Sequence, residues 1–151
     1  MPSEIFSNAW ASDCARELNH REFYRVAAAA WEGAVVLVCE TAGAGQNRRV
    51  WLDLWHGECR EARAGSAADL EMARYVFSAR ASIWRQLLGG KMAPLPAVMT
   101  GCLRLTKGAI ADLIPYASAA QELVAAAAAV ATVFPDGERE GPERQEGKGE
   151  R

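Results

Sequence analysis

The residues best suited to chemistry gather in one pentapeptide, Trp55-His56-Gly57-Glu58-Cys59. A histidine, a carboxylate and a thiol this close could hold a metal or set up a Cys–His nucleophile. Period two would place His56 and Glu58 on one strand face, but Gly57 between them marks a turn, so the stretch reads as a hairpin tip. A metal site would need ligands from elsewhere in the chain, and none is assigned. His20, the other histidine, stands beside Arg21 and Glu22 at an expected helix break and reads as exposed. Tyr75, Tyr116 and Asp53 are the remaining acid–base candidates, and no partner in sequence pairs with any of them.

Other reactive patterns are missing. There is no G-x-S-x-G, H-E-x-x-H, P-loop or dinucleotide fingerprint, and no cofactor is expected. Gly43–Asn47 (GAGQN) lacks the glycine spacing and the following helix that would cradle a phosphate. Cys14, Cys39, Cys59 and Cys102 form no C-x-x-C pair and read as small buried hydrophobes of a reducing compartment. A net charge of −2 and no run of three Lys or Arg argue against nucleic-acid binding. The start of the chain has no basic segment followed by a long apolar one, so no signal peptide is expected. The most apolar stretch, Leu123 to Phe134, is too short for a bilayer core of about 30 Å. The expectation is a cytoplasmic protein without stable membrane insertion.

The elements that must position these side chains follow from periodicity. Residues 4–31 carry helical spacing with an interruption near Asn19, and Gly33 closes them. Gly33–Thr41 is a β-branched strand. Arg48–Arg63 is a hairpin turning at Gly57, with Val50, Leu52 and Leu54 on one face. Ala68–Ala79 reads as a fourth strand. Ser82–Gly90 is a short helix capped by Ser82 and stopped by paired glycines. Pro94–Met99 is another, and Cys102–Lys107 the last strand. A final helix spans about residues 109–133, with Pro115 in its first turn or kinking it. Its stripe is Leu113, Ala117, Ala120, Val124, Ala127 and Ala131, widened by Leu123 and Val130. From Pro135 the chain has six acids and four bases among Gly and Pro and no aliphatic or aromatic residue, the composition of a disordered tail. The order suggests an α+β domain over residues 1–134, a mostly antiparallel five-stranded sheet covered by helices.

The stretch from Trp84 to Gly108 carries a resemblance. A helix ending in glycines (IWRQLLGGKMAP), a small apolar helix (LPAVMTG), a final strand (CLRLTKG) and a helix resemble the sterol carrier protein 2 domain, a lipid-transfer family. The order of elements extends the likeness over residues 1–134. The resemblance implies an apolar cavity between sheet and helices that takes a hydrophobic small molecule: a fatty acid, acyl-CoA, sterol-like or polyketide-like compound. It implies ligand-facing positions at Trp84, Leu87, Leu88, Met92, Val98, Met99, Leu103, Leu105, Leu113, Ala120, Val124 and Ala127. Homodimerisation is compatible with it.

The residues alone leave two readings of the alanine-rich helix. Its methyl groups leave room for a lipid chain, each buried CH₂ contributing about 0.8 kcal/mol. Alternatively they let the helix sit close against the sheet as ordinary core. Beyond a non-catalytic carrier, the cavity could serve an enzyme acting on a hydrophobic intermediate, or be residual in an interaction domain.

Overall fold

The computed structural model describes residues 2–41 and 47–135. The expected loop at Gly43–Asn47, apart from Asn47, and the expected tail beyond Pro135 lie outside the described residues. A short strand β1 (Ser3–Glu4) leads into α1 (Asn8–Asn19), α2 (Glu22–Ala27), β2 (Glu32–Glu40), β3 (Arg48–Trp55) and β4 (Glu58–Ala64). Then come α3 (Asp69–Met72), β5 (Tyr75–Arg80), α4 (Ala81–Leu88), α5 (Pro94–Met99) and β6 (Arg104–Lys107). The described residues finish with α6 (Ile110–Leu113), a 3-10 turn (Ile114–Tyr116), α7 (Ala117–Ala128) and β7 (Thr132–Val133).

Five strands make one sheet in the order β4-β3-β2-β5-β6. β2, β3 and β4 form an antiparallel meander, β5 pairs parallel with β2, and β6 returns antiparallel to β5. The α+β class and the mostly antiparallel sheet therefore hold. The hairpin turns at His56 and Gly57, both at positive φ (50° and 83°), as a tight two-residue turn needs.

Four expectations change. Gly33 does not close the helical region: α2 ends at Ala27 with Ala28 as its C-cap, and Gly33 lies within β2. Ala68–Ala79 is not one strand: Asp69 accepts the Ser66 N–H (2.8 Å) and opens α3, and the strand begins only at Tyr75. A parallel partner for β2 requires such a crossover, because a tight turn cannot supply it. Ser82 does not cap α4; Arg80 occupies the N-cap position and Ser82 lies inside the helix. The final helix is shorter than residues 109–133. Pro115 breaks it with the 3-10 turn, and beyond Ala128 the chain straightens into β7, parallel to β1. Thr132 accounts for that exit: its hydroxyl accepts the Trp10 indole N–H (2.9 Å).

Local chemistry fixes the first helix as well. The Ser7 hydroxyl accepts the Trp10 N–H at its N-cap (3.2 Å). Asn19 ends it by bonding Cys59 of β4 twice, accepting its N–H (2.8 Å) and donating to its carbonyl (3.1 Å). Trp10, Ala11, Cys14 and Leu18 then face the sheet, buried. The main core joins this face to the inward residues of the sheet, to α4 and to α7.

Candidate functional site: an apolar cavity behind the alanine helix

Between the sheet and the helices lies a cavity of about 100 Å³. Leu37 of β2, Leu52 and Leu54 of β3 and Phe77 of β5 form its floor. They are neighbours on one face because β2 to β3 register pairs Leu37 with Val50 and Val35 with Leu52, and β2 to β5 pairs Leu37 with Phe77. Across from them stands α7, presenting Ala119, Ala120, Leu123, Val124 and Ala127. Alanine contributes one methyl group at each such position, so the helix can stand at packing distance while the floor leucines keep open space in front of them. A comparable volume in an engineered apolar core, about 150 Å³, stays dry and binds benzene.

Nine of the twelve residues singled out in the sequence line this cavity: Trp84, Leu87, Leu88, Val98, Leu103, Leu113, Ala120, Val124 and Ala127. Three do not. Met99 is 69 % exposed. α5 is six residues long and buries Pro94 and Ala97, one helical turn apart; Met99 falls on the opposite side. Met92 and Leu105 are half-buried and pack on the core without reaching the cavity. Leu103 precedes β6, whereas Leu105 lies within it on the edge of the sheet, paired with Phe77 of β5.

Sequence reading missed the sheet floor, Leu37, Leu52, Leu54 and Phe77, and the N-terminal wall, Phe6, Trp10, Cys14, Tyr24, Ala28 and Trp31. The helical stripe of residues 4–31 was the available signal, since Trp10 and Cys14 stand four apart on its apolar face. Ring contacts knit this wall: Phe6 packs edge-on to Trp10 and Trp84 at 5.1 and 5.2 Å, and Trp31 meets Tyr116 at 4.9 Å.

The polar atoms of the lining are turned away almost completely. The indole N–H of Trp10 goes to Thr132, that of Trp31 to the Gly33 carbonyl and that of Trp84 to the Val38 carbonyl, each at 2.9 Å. Among the described residues no Lys, Arg, His, Asp or Glu lines the space. Burial pushes the Cys14 thiol up to about 12 and raises the Tyr24 phenol further, so both are protonated at neutral pH.

The acid–base candidates lie elsewhere, apart from Tyr116. Asp53 takes two hydrogen bonds from Arg60 (3.1 and 3.2 Å), Tyr75 donates to Asp112 (3.2 Å), and neither lines the cavity. His56 sits exposed at the hairpin tip with Glu32, not Glu58, as its partner (2.6 Å). Among the described residues no group of three or more His, Cys, Asp or Glu could hold a metal ion, and no helix is long and apolar enough to cross a membrane.

No protein-family model matches the chain, nor does any curated protein. Solved structures do. A crystal structure of sterol carrier protein 2 is 47 % identical, covering 85 % of this chain and 100 % of its own, with a TM-score of 0.77. A solution structure of a conserved hypothetical protein from Thermus thermophilus, suggested to be a sterol carrier protein, is 45 % identical over 87 % of this chain and 94 % of its own, with a TM-score of 0.76. The apo form of sterol carrier protein 2 from Yarrowia lipolytica shares the fold at 18 % identity, covering 77 % of this chain and 87 % of its own, with a TM-score of 0.54.

Proposed function

The chain belongs to the sterol carrier protein 2 family, and on that premise we propose that it binds and carries a lipid or other hydrophobic small molecule in the cavity under α7. The observation that supports this most is the lining itself. It is apolar, free of charged side chains among the described residues, and its indole N–H groups are already bonded to protein acceptors. Such a surface gains from an apolar occupant by about 25 cal/mol for each Å² removed from water. It gives a reacting carbon no general base and no charged electrophile, which favours carriage over conversion. The binding unit is residues 1–134, in a reducing, cytoplasmic setting; the four cysteines form no disulfide.

Native mass spectrometry of the freshly purified protein, with a Nile red titration of the delipidated protein, tests the reading. We expect a co-purified mass of lipid size at one per chain and saturable dye binding that hydrophobic competitors reverse. The same spectrum reads monomer against homodimer. A bare chain that takes up no dye would refute the carrier.

A further inference from the structure

We infer that Tyr24 is the polar anchor of the cavity, and that its ligand carries a neutral oxygen, an alcohol, ketone or ester, at the end buried against α1 and α2. The inference rests on the carrier reading and adds the chemistry of the occupant.

Tyr24 is 2 % exposed and lines the cavity from α2. Its phenol hydroxyl has no hydrogen-bond partner among the described residues, yet the oxygen is not sealed off from open space. Buried polar groups are nearly always paired, and an unpaired one needs an explanation. The three indoles of the lining do not need one, because each has its acceptor within the protein. Tyr116 also lines the cavity but is only half-buried. Among the described residues Tyr24 alone combines deep burial, a place on the cavity wall and an unused hydroxyl.

A trapped water is a poor substitute. It needs about two to four polar partners, and the nearby lining side chains offer it this hydroxyl and the Cys14 thiol. A ligand oxygen needs only one good bond. Charge is excluded from this end, since no cationic side chain among the described residues lines the cavity to stabilise a carboxylate. Burial and the neighbouring Cys59 and Cys14 keep the phenol protonated, so it serves as a donor to the ligand oxygen. A fatty-acid carboxylate would therefore leave its charge in water and reach Tyr24 with its methyl end.

Competition against Nile red with octan-1-ol, octane and octanoate, on wild type and Tyr24→Phe, tests this. The substitution keeps the ring and should not lower the urea midpoint, because it removes a buried hydroxyl that the protein leaves unpaired. We expect octan-1-ol to weaken about tenfold in Tyr24→Phe while octane and octanoate stay within twofold of wild type. Equal changes for octan-1-ol and octane would overturn the anchor and leave the carrier standing. Octanoate weakening as much as octan-1-ol would overturn the neutral class. If none of the three displaces the dye from wild type, the carrier reading fails and the anchor with it.

Discussion

The two faces of the sheet are made by the same strands and finished differently. Along β2, Val35, Leu37 and Cys39 turn to the main core, while Val36 and Val38 turn to the opposite face; along β5, Tyr75, Phe77 and Ala79 oppose Val76. On the first face α7 holds alanines in front of large floor residues, and a cavity remains. On the second, Val36, Val38, Ala73 and Val76 are buried with half-buried Trp51 and Leu70 as their lid. Charged groups close that side: Arg63 holds Asp69 through two bonds (2.7 and 3.1 Å) and lies 5.0 Å from the Trp51 ring centre, and Arg104 and Ser78 both donate to Glu40. Strand alternation fixes which residues face which way. Whether space remains depends on the covering layer: short methyl groups on a straight helix leave it, and long arginine stems collapse onto the sheet and fill it.

The largest effect should come where the cavity face is still core. Trp84→Ala removes a ring packed on Phe6 and leaves the Val38 carbonyl without its indole donor. We expect a loss of about 3–5 kcal/mol in a urea melt. A loss below about 1 kcal/mol would mean that the wall around Trp84 is as loose as the cavity beside it.

Asp69 is the matching probe of the filled face. Arg63 holds its carboxyl at about 2, down from an ordinary 3.8, with the Ser66 N–H assisting. The unfolded chain takes up its proton first as pH falls, so this stabilisation is full above about pH 4 and is lost towards pH 2. Asp69→Asn should cost about 1.5–3 kcal/mol at pH 7, the range for hydrogen bonds to a charged group. The gap to wild type should close as pH falls from 4 to 2. Urea melts across that range decide it; a constant gap would show that the pair does not titrate with folding.

Two adjacent alanines test the comparison within one helix. Ala126 is fully buried and does not line the cavity, whereas Ala127 does. Ala126→Phe should overpack the core and cost about 1–3 kcal/mol. Ala127→Phe should find room for its ring, stay close to wild type in stability and lose Nile red affinity. The reverse pattern, with affinity kept and stability lost at Ala127, would make the alanine wall ordinary core.

Much of this contrast is legible in the sequence, and the gaps have physical causes. Strand faces follow from period two, so Leu52 and Leu54 could be placed together. The alanine stripe of α7 could be read from period 3.6, and it supplied Ala120, Val124 and Ala127 of the lining. What failed were decisions taken by single tertiary contacts. Thr132 leaves the helix to meet Trp10, and Asp69 starts α3 because Arg63 and Ser66 bind its carboxylate. Met99 failed on local geometry instead, since α5 buries Pro94 and Ala97 and leaves Met99 on its outer side. The N-terminal wall was missed for a different reason. Trp10, Cys14 and Tyr24 look like any amphipathic helix face until the space in front of them is known.

The smallest effect is expected at the position where sequence chemistry looked richest. His56 belongs to neither face; it caps the β3–β4 hairpin, exposed, with Glu32 2.6 Å away. An exposed pair of this kind contributes about 0.2–1 kcal/mol. Its backbone adds a second, opposing contribution, because φ of 50° is unfavourable for any residue with a Cβ. His56→Ala should therefore lose a few tenths of a kcal/mol by losing the pair while keeping the strained φ. His56→Gly loses the same pair but relaxes the backbone, and should melt at or above the alanine variant. Both should bind Nile red as wild type does, since the hairpin tip does not line the cavity. If His56→Ala abolished dye binding, or ended a turnover of a hydrophobic substrate that wild type shows, the hairpin would have to act on the cavity, and the separation between the apolar cavity face and the hairpin tip would fall.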